Sequence, residues 1–197
     1  MMSNFPASIA ALALAGLATG FAGPAAAQQA GAPSAYVGGN LGLYNKYDLR
    51  CGSGVACDRT AGFGGKVYGG YDYGSYGIEA LAFSVNAGSG LVRQGTASVA
   101  GSVREQGLGV VGVLPLQAGD FTLKGKLGLA YTRGKVSYAA GGSDGKKMFA
   151  PLIGASVSYP LSKDLSLSAD WDQLRAKYNA DNRVRVNMLS VGISHKF

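Results

Sequence analysis

Hydrophobic and polar positions alternate two by two along most of this chain, most clearly at its end. In LSVGISHKF, Leu189, Val191, Ile193, His195 and Phe197 share one face, while Met188, Ser190, Gly192, Ser194 and Lys196 share the other. A period of two marks a strand with one apolar face. The pattern recurs in Phe121, Leu123, Leu127, Leu129 and Tyr131 against Thr122, Lys124, Lys126, Gly128 and Thr132. It recurs again in Leu165, Leu167, Ala169 and Trp171 against Ser166, Ser168, Asp170 and Asp172. Further strands are predicted at 36–44, 63–73, 76–85, 103–116 and 147–159. Two of these are irregular. Leu81, Phe83 and Val85 share the parity of Glu79, so either a bulge shifts the register or large apolar groups sit inside. Pro151 removes a ladder donor from the sixth strand, where a local bulge is expected.

The predicted strands number eight. Short turns join strands two to three, four to five and six to seven. Longer loops are expected at 45–61, 86–101, around 141–145 and at about 178–182. An even count of antiparallel strands with every short turn at one end is the pattern of an up-and-down transmembrane β-barrel. A secreted lipocalin-like barrel would also have eight strands, with its apolar face inward.

Composition moves the balance toward the membrane. Hydrophobic residues make up 47% and charged residues only 15%, against about 25% in soluble domains. Residues 9–21 are apolar and small, and Ala25-Ala26-Ala27 offers a signal-peptidase site, although no Lys or Arg precedes it. The expected division is a signal peptide at 1–27 and one barrel domain at 28–197. No later run approaches the roughly 20 apolar residues of a spanning helix, which leaves a closed barrel as the way an apolar exported chain enters a bilayer. Aromatic groups cluster at two heights, with Phe121, Tyr159 and Phe197 at one end and Tyr131 and Phe149 ten residues along their strands. Export also makes a local Cys51–Cys57 disulfide the expected state.

At this point the runs GLGVVGVLPL, FTLKGKLGLAYTRGKV, LSLSADWDQLRAKY and LSVGISHKF, with FGGKVYGGYDY and YGIEALAF before them, resemble the OmpA-like transmembrane domain family. The resemblance covers nearly all of the mature chain and rests on strand patterns. It implies a monomeric bacterial outer-membrane barrel that carries no cofactor. The terminal Phe197 resembles the assembly signal of such barrels, which implies contact with the barrel-assembly machinery.

The polar face supplies candidate chemistry. Lys66, Lys124 and Lys126 against Glu79, Glu105, Asp170 and Asp172 form an expected lumen network, because buried charges demand partners. Asp170 and Asp172 could act as paired catalytic carboxylates, but ion pairing with Lys124 and Lys126 is the better reading. Barrels resembling lipid A deacylases, palmitoyl transferases or omptin proteases rely on a histidine near the outer side. Here the sole histidine, His195, is at the opposite rim, so no enzyme is expected. The net charge of +7 is concentrated at the long-loop end. Arg133, Lys147, Lys177 and Arg185 each lie twelve residues from the opposite anchors Phe121, Tyr159, Leu165 and Phe197. They are read as a band meeting lipopolysaccharide phosphates, weighed against an ordinary solvated loop base. A basic excess displayed outside the cell does not indicate nucleic acid. The functional expectation is envelope integrity or surface interaction, with a narrow diffusion channel and a soluble ligand-binding barrel as alternatives.

Overall fold

In the computed structural model, residues 33–48, 60–94, 97–138, 141–177 and 183–197 are described. Eight strands carry the chain: β1 (Ser34–Asp48), β2 (Thr60–Asp72), β3 (Gly77–Gln94), β4 (Ala97–Ala118), β5 (Phe121–Tyr138), β6 (Ser143–Pro160), β7 (Leu165–Lys177) and β8 (Arg183–Lys196). Each pairs antiparallel with its sequence neighbours, and β8 pairs with β1 to close a barrel. Closure leaves no free edge within the bilayer, where an unpaired amide would have no water to bond. The last residue takes part, since the Phe197 amide donates to the Ala35 carbonyl at 2.9 Å.

The alternation turns its apolar face outward. Leu114 and Leu127 are each 67% exposed, whereas Lys66 and Lys126 are 3% and 4% exposed. The inward-apolar arrangement of a soluble barrel is thereby overturned. On the outer wall, Phe121 packs on Tyr159 at 5.3 Å between ring centroids, and Tyr131 packs on Phe149 at 5.0 Å. Ten residues separate Phe121 from Tyr131 along β5. At roughly 3.3 Å per residue and about 40° of tilt that is a height of about 25 Å, the thickness of the apolar band on such barrels.

Three expectations change. The loop expected at 86–101 is a continued hairpin, because β3 runs to Gln94 and β4 starts at Ala97, in register apart from a shift between Asn86 and Ser89. Likewise, β6 already begins at Ser143, inside the loop expected around 141–145. Glycine and serine, with their weak strand preference, obscured these strand extensions. The bulge expected at Pro151 is absent from the β5–β6 ladder, which runs unbroken through the Leu129–Pro151 pair. Instead, β6 pairs with β7 only from Leu152 onward, so the proline stands where that second ladder stops. In β3 the question is resolved by large groups inside: Leu81, Phe83 and Val85 are all buried.

The lumen is consequently layered rather than uniformly Gly and Ser. Leu81, Phe83, Val85, Val111, Leu152, Leu174, Val186 and Met188 belong to one buried cluster, with Lys66, Lys126, Glu79, Asp170 and Asp172 buried on its short-turn side and Glu105 and Thr132 on the other. Inward glycines make room for bulky neighbours. A Cβ at Gly38 would lie 2.4 Å from the Tyr68 ring, and one at Gly70 would lie 2.6 Å from the Tyr36 ring. Gly38→Ala is expected to lower stability by about 1–3 kcal/mol, the usual cost of overpacking, read as a shift in the urea midpoint of the barrel in liposomes. An unchanged midpoint would show that Tyr68 has room to move.

Candidate functional site: the lumen network and the outer basic band

Inward parity on β1, β2, β3, β5, β7 and β8 brings the polar side chains together. Lys126 Nζ donates to Glu79 Oε1 at 2.9 Å and to Asp170 Oδ1 at 3.1 Å. Lys66 pairs with Asp172 and lies 3.5 Å from Asp170. Asp170 is thus shared by two lysines and also accepts from the Asn40 amide. The Tyr36 hydroxyl donates to Glu79 Oε2 at 3.1 Å. Ser168 donates to Asn40 Oδ1 at 3.3 Å and lies 3.5 Å from the Tyr68 hydroxyl. Lys66 and Lys126 also sit 5.6 and 5.2 Å from the Tyr68 ring centroid. Each ion is almost fully removed from water, so these pairs act at low dielectric, where removing one partner is costly.

Two of the seven predicted residues stand apart. Lys124 was expected to pair with the β7 carboxylates, but Lys66 takes Asp172. Lys124 lies instead over the Tyr36 ring, 4.7 Å from its centroid, beside a small cavity lined with Asp72, Val113 and Pro115. Glu105 is buried farther out on β4, opposite Val85 and Gly134, whereas Glu79 is opposite Val111 on the same strand. Asn40, Tyr36, Tyr68 and Ser168 were not singled out from the sequence. Their inward parity was readable, but not their reach across the lumen.

Outside the barrel, Arg133, Lys147 and Arg185 are all exposed. The side chain of Lys177 lies outside the described residues, as do Cys51, Cys57 and residues 1–32. The register adds what the sequence reading missed. Arg133 is directly opposite Lys147, Arg104 opposite Lys135, and Arg175 opposite Arg185, with all six side chains exposed. His195 is exposed at the other end of the barrel, its ring tilted against Phe197 with centroids 4.9 Å apart, far from these cations.

A closed eight-stranded antiparallel wall, apolar outside, charged within and belted by aromatic rings, defines a transmembrane β-barrel. The chain belongs to the outer membrane protein beta-barrel domain family, whose model matches residues 10–197, and the protein is an outer-membrane protein. Among solved structures it is similar to Neisserial surface protein A, with a TM-score of 0.64 at 16% identity over 83% of this chain and 97% of that one. It is also similar to Ail, the attachment invasion locus protein of Yersinia pestis, with a TM-score of 0.55 at 15% identity over 86% of this chain and 100% of that one. A third is a major outer membrane protein of Thermus thermophilus, with a TM-score of 0.59 at 12% identity over 84% of this chain and 100% of that one. At these identities the likeness is one of fold. No curated protein matches the sequence.

Proposed function

We propose that this protein is a non-enzymatic, monomeric envelope barrel whose outer basic band holds lipopolysaccharide through its phosphates. The observation that carries this reading is the set of three register-opposed cation pairs, Arg104/Lys135, Arg133/Lys147 and Arg175/Arg185. Like charges directly opposite each other on a sheet destabilise it, and they are suited to a bridging phosphate. The pairs on β5–β6 and β7–β8 lie just beyond the outer aromatic rings, where lipid phosphates are found. In contrast, the lumen is filled by the apolar cluster and the ion pairs, which favours the outer surface over a channel as the working face. Export after cleavage near Ala27 and assembly through the Phe197 terminus complete the reading.

Replacing Arg133, Lys147, Arg175 and Arg185 with Gln is expected to lower lipopolysaccharide retained on purification by about ten-fold or more, given several lost charge-assisted contacts. In lipopolysaccharide-free detergent the same variant should unfold no more easily, because each relieved like-charge pair returns about 0.2–1 kcal/mol before screening. Equal retention by the two proteins would remove the proposal.

A further inference from the structure

Above the outer aromatic belt β5 is paired on both sides, with β4 to the Gly101–Tyr138 pair and with β6 to the Ser137–Ser143 pair. The three strands form a continuous sheet whose outward face rises from Leu108, Tyr131 and Phe149 in register-matched rows. The first row above the belt is Gln106, Arg133 and Lys147. The second is Arg104, Lys135 and Gly145, and the third is Ser102, Ser137 and Ser143. Successive rows are two residues apart, which is about 5 Å of height at roughly 3.3 Å per residue and about 40° of tilt.

The charge of this face is of one sign. Arg104, Arg133, Lys135 and Lys147 are all exposed on it. The two carboxylates in the same strand segments stand off it. Glu105 is buried toward the lumen, and Asp144 pairs with Val136, one position out of these rows. Gly145 carries no side chain, so a ligand can lie flat on the sheet beside Lys135.

In lipopolysaccharide the sugars joined to the phosphorylated lipid anchor carry carboxylates, so a second layer of anions follows the phosphates outward. We infer that the second and third rows of this face bind those acidic sugars, with Arg104 and Lys135 holding a sugar carboxylate and the serine hydroxyls above them meeting the sugar ring. The inference rests on the lipopolysaccharide reading and deepens it. The planar fork of Arg104 matches a carboxylate through two parallel bonds, and Lys135 adds a point charge beside it. An anion between them also relieves the cost of two cations directly opposite on a sheet. An acidic peptide is a poorer occupant, because β5 is held in ladders on both sides and the third row offers hydroxyls in place of apolar contacts.

The test uses the full barrel in detergent micelles, titrated with two fluorescently labelled lipids. One is the phosphorylated lipid anchor alone. The other is deep-rough lipopolysaccharide, the same anchor carrying its octulosonic acids. The wild-type barrel should bind the second about ten-fold more tightly, as expected for one charge-assisted bidentate contact. Reducing the sugar carboxyls to alcohols should abolish that advantage. Arg104→Gln with Lys135→Gln should also abolish it while leaving affinity for the anchor alone unchanged. Arg133→Gln with Lys147→Gln should weaken both lipids about ten-fold alike. Heat-modifiable gel mobility checks that each variant folds. The inference is overturned if the Arg104/Lys135 variant weakens both lipids equally or neither, if carboxyl reduction changes nothing, or if polyglutamate binds as tightly as the deep-rough form. In the first of these cases the lipopolysaccharide reading survives as long as the Arg133/Lys147 variant weakens both lipids. If that variant weakens neither, the lipopolysaccharide reading falls too.

Discussion

Asp170→Ala is expected to destabilise the barrel by about 3–5 kcal/mol, the cost of removing one member of a buried ion-pair network. Among the described residues, Asp170 is the one carboxylate that both Lys66 and Lys126 approach, at 3.5 and 3.1 Å. Its removal leaves each lysine with a single acidic partner, Asp172 or Glu79, and leaves the Asn40 amide with only a 3.5 Å contact to Ser190. Because these groups are 4% exposed or less, water cannot substitute without entering the lumen. Asp170→Asn keeps the volume and an acceptor oxygen but loses the charge, and should fall between wild type and Asp170→Ala. Reversible urea unfolding in liposomes, followed by tryptophan fluorescence, measures both. If Asp170→Ala loses less than about 1 kcal/mol, the lumen is hydrated and the ion pairs behave as surface pairs do.

Reading the sequence reached the fold because alternation is local: Leu123, Lys124, Leu127 and Lys126 declare their faces without knowledge of any other strand. The same locality hid what depends on register. Lys124 and Lys126 have the same parity, yet one meets Glu79 and Asp170 and the other lies over Tyr36. The stagger between strands and the reach of each side chain across the lumen decide that outcome. Parity also placed Arg175 on the outer face two residues before Lys177, but only the ladder sets it opposite Arg185. The hairpin of β3 and β4 beyond Asn86 was read as loop because Gly and Ser carry weak strand preference, whereas the ladder continues to the Gln94–Ala97 pair. Pro151 was legible as an interruption. That it ends one ladder and leaves the other intact became visible only in the closed barrel.

Leu127→Arg is expected to cost about 2–4 kcal/mol in a bilayer, the penalty for a cation facing lipid near the midplane of a barrel. Leu127 faces outward at 67% exposure and lies between the Phe121 and Tyr131 belts on β5. Its neighbour Lys126 already carries a cation at the same height without that penalty, because it points inward to Glu79 and Asp170. The two adjacent positions are therefore opposite solvents separated by one residue of pleat. Leu116→Arg, also outward but close to the turn between β4 and β5, should cost only about 0–1 kcal/mol, because the penalty fades toward the interface. Unfolding free energies in liposomes of the two variants measure the depth profile directly. Equal and negligible costs at both positions would mean that the outer face meets water and that the barrel is not held in the membrane by this belt.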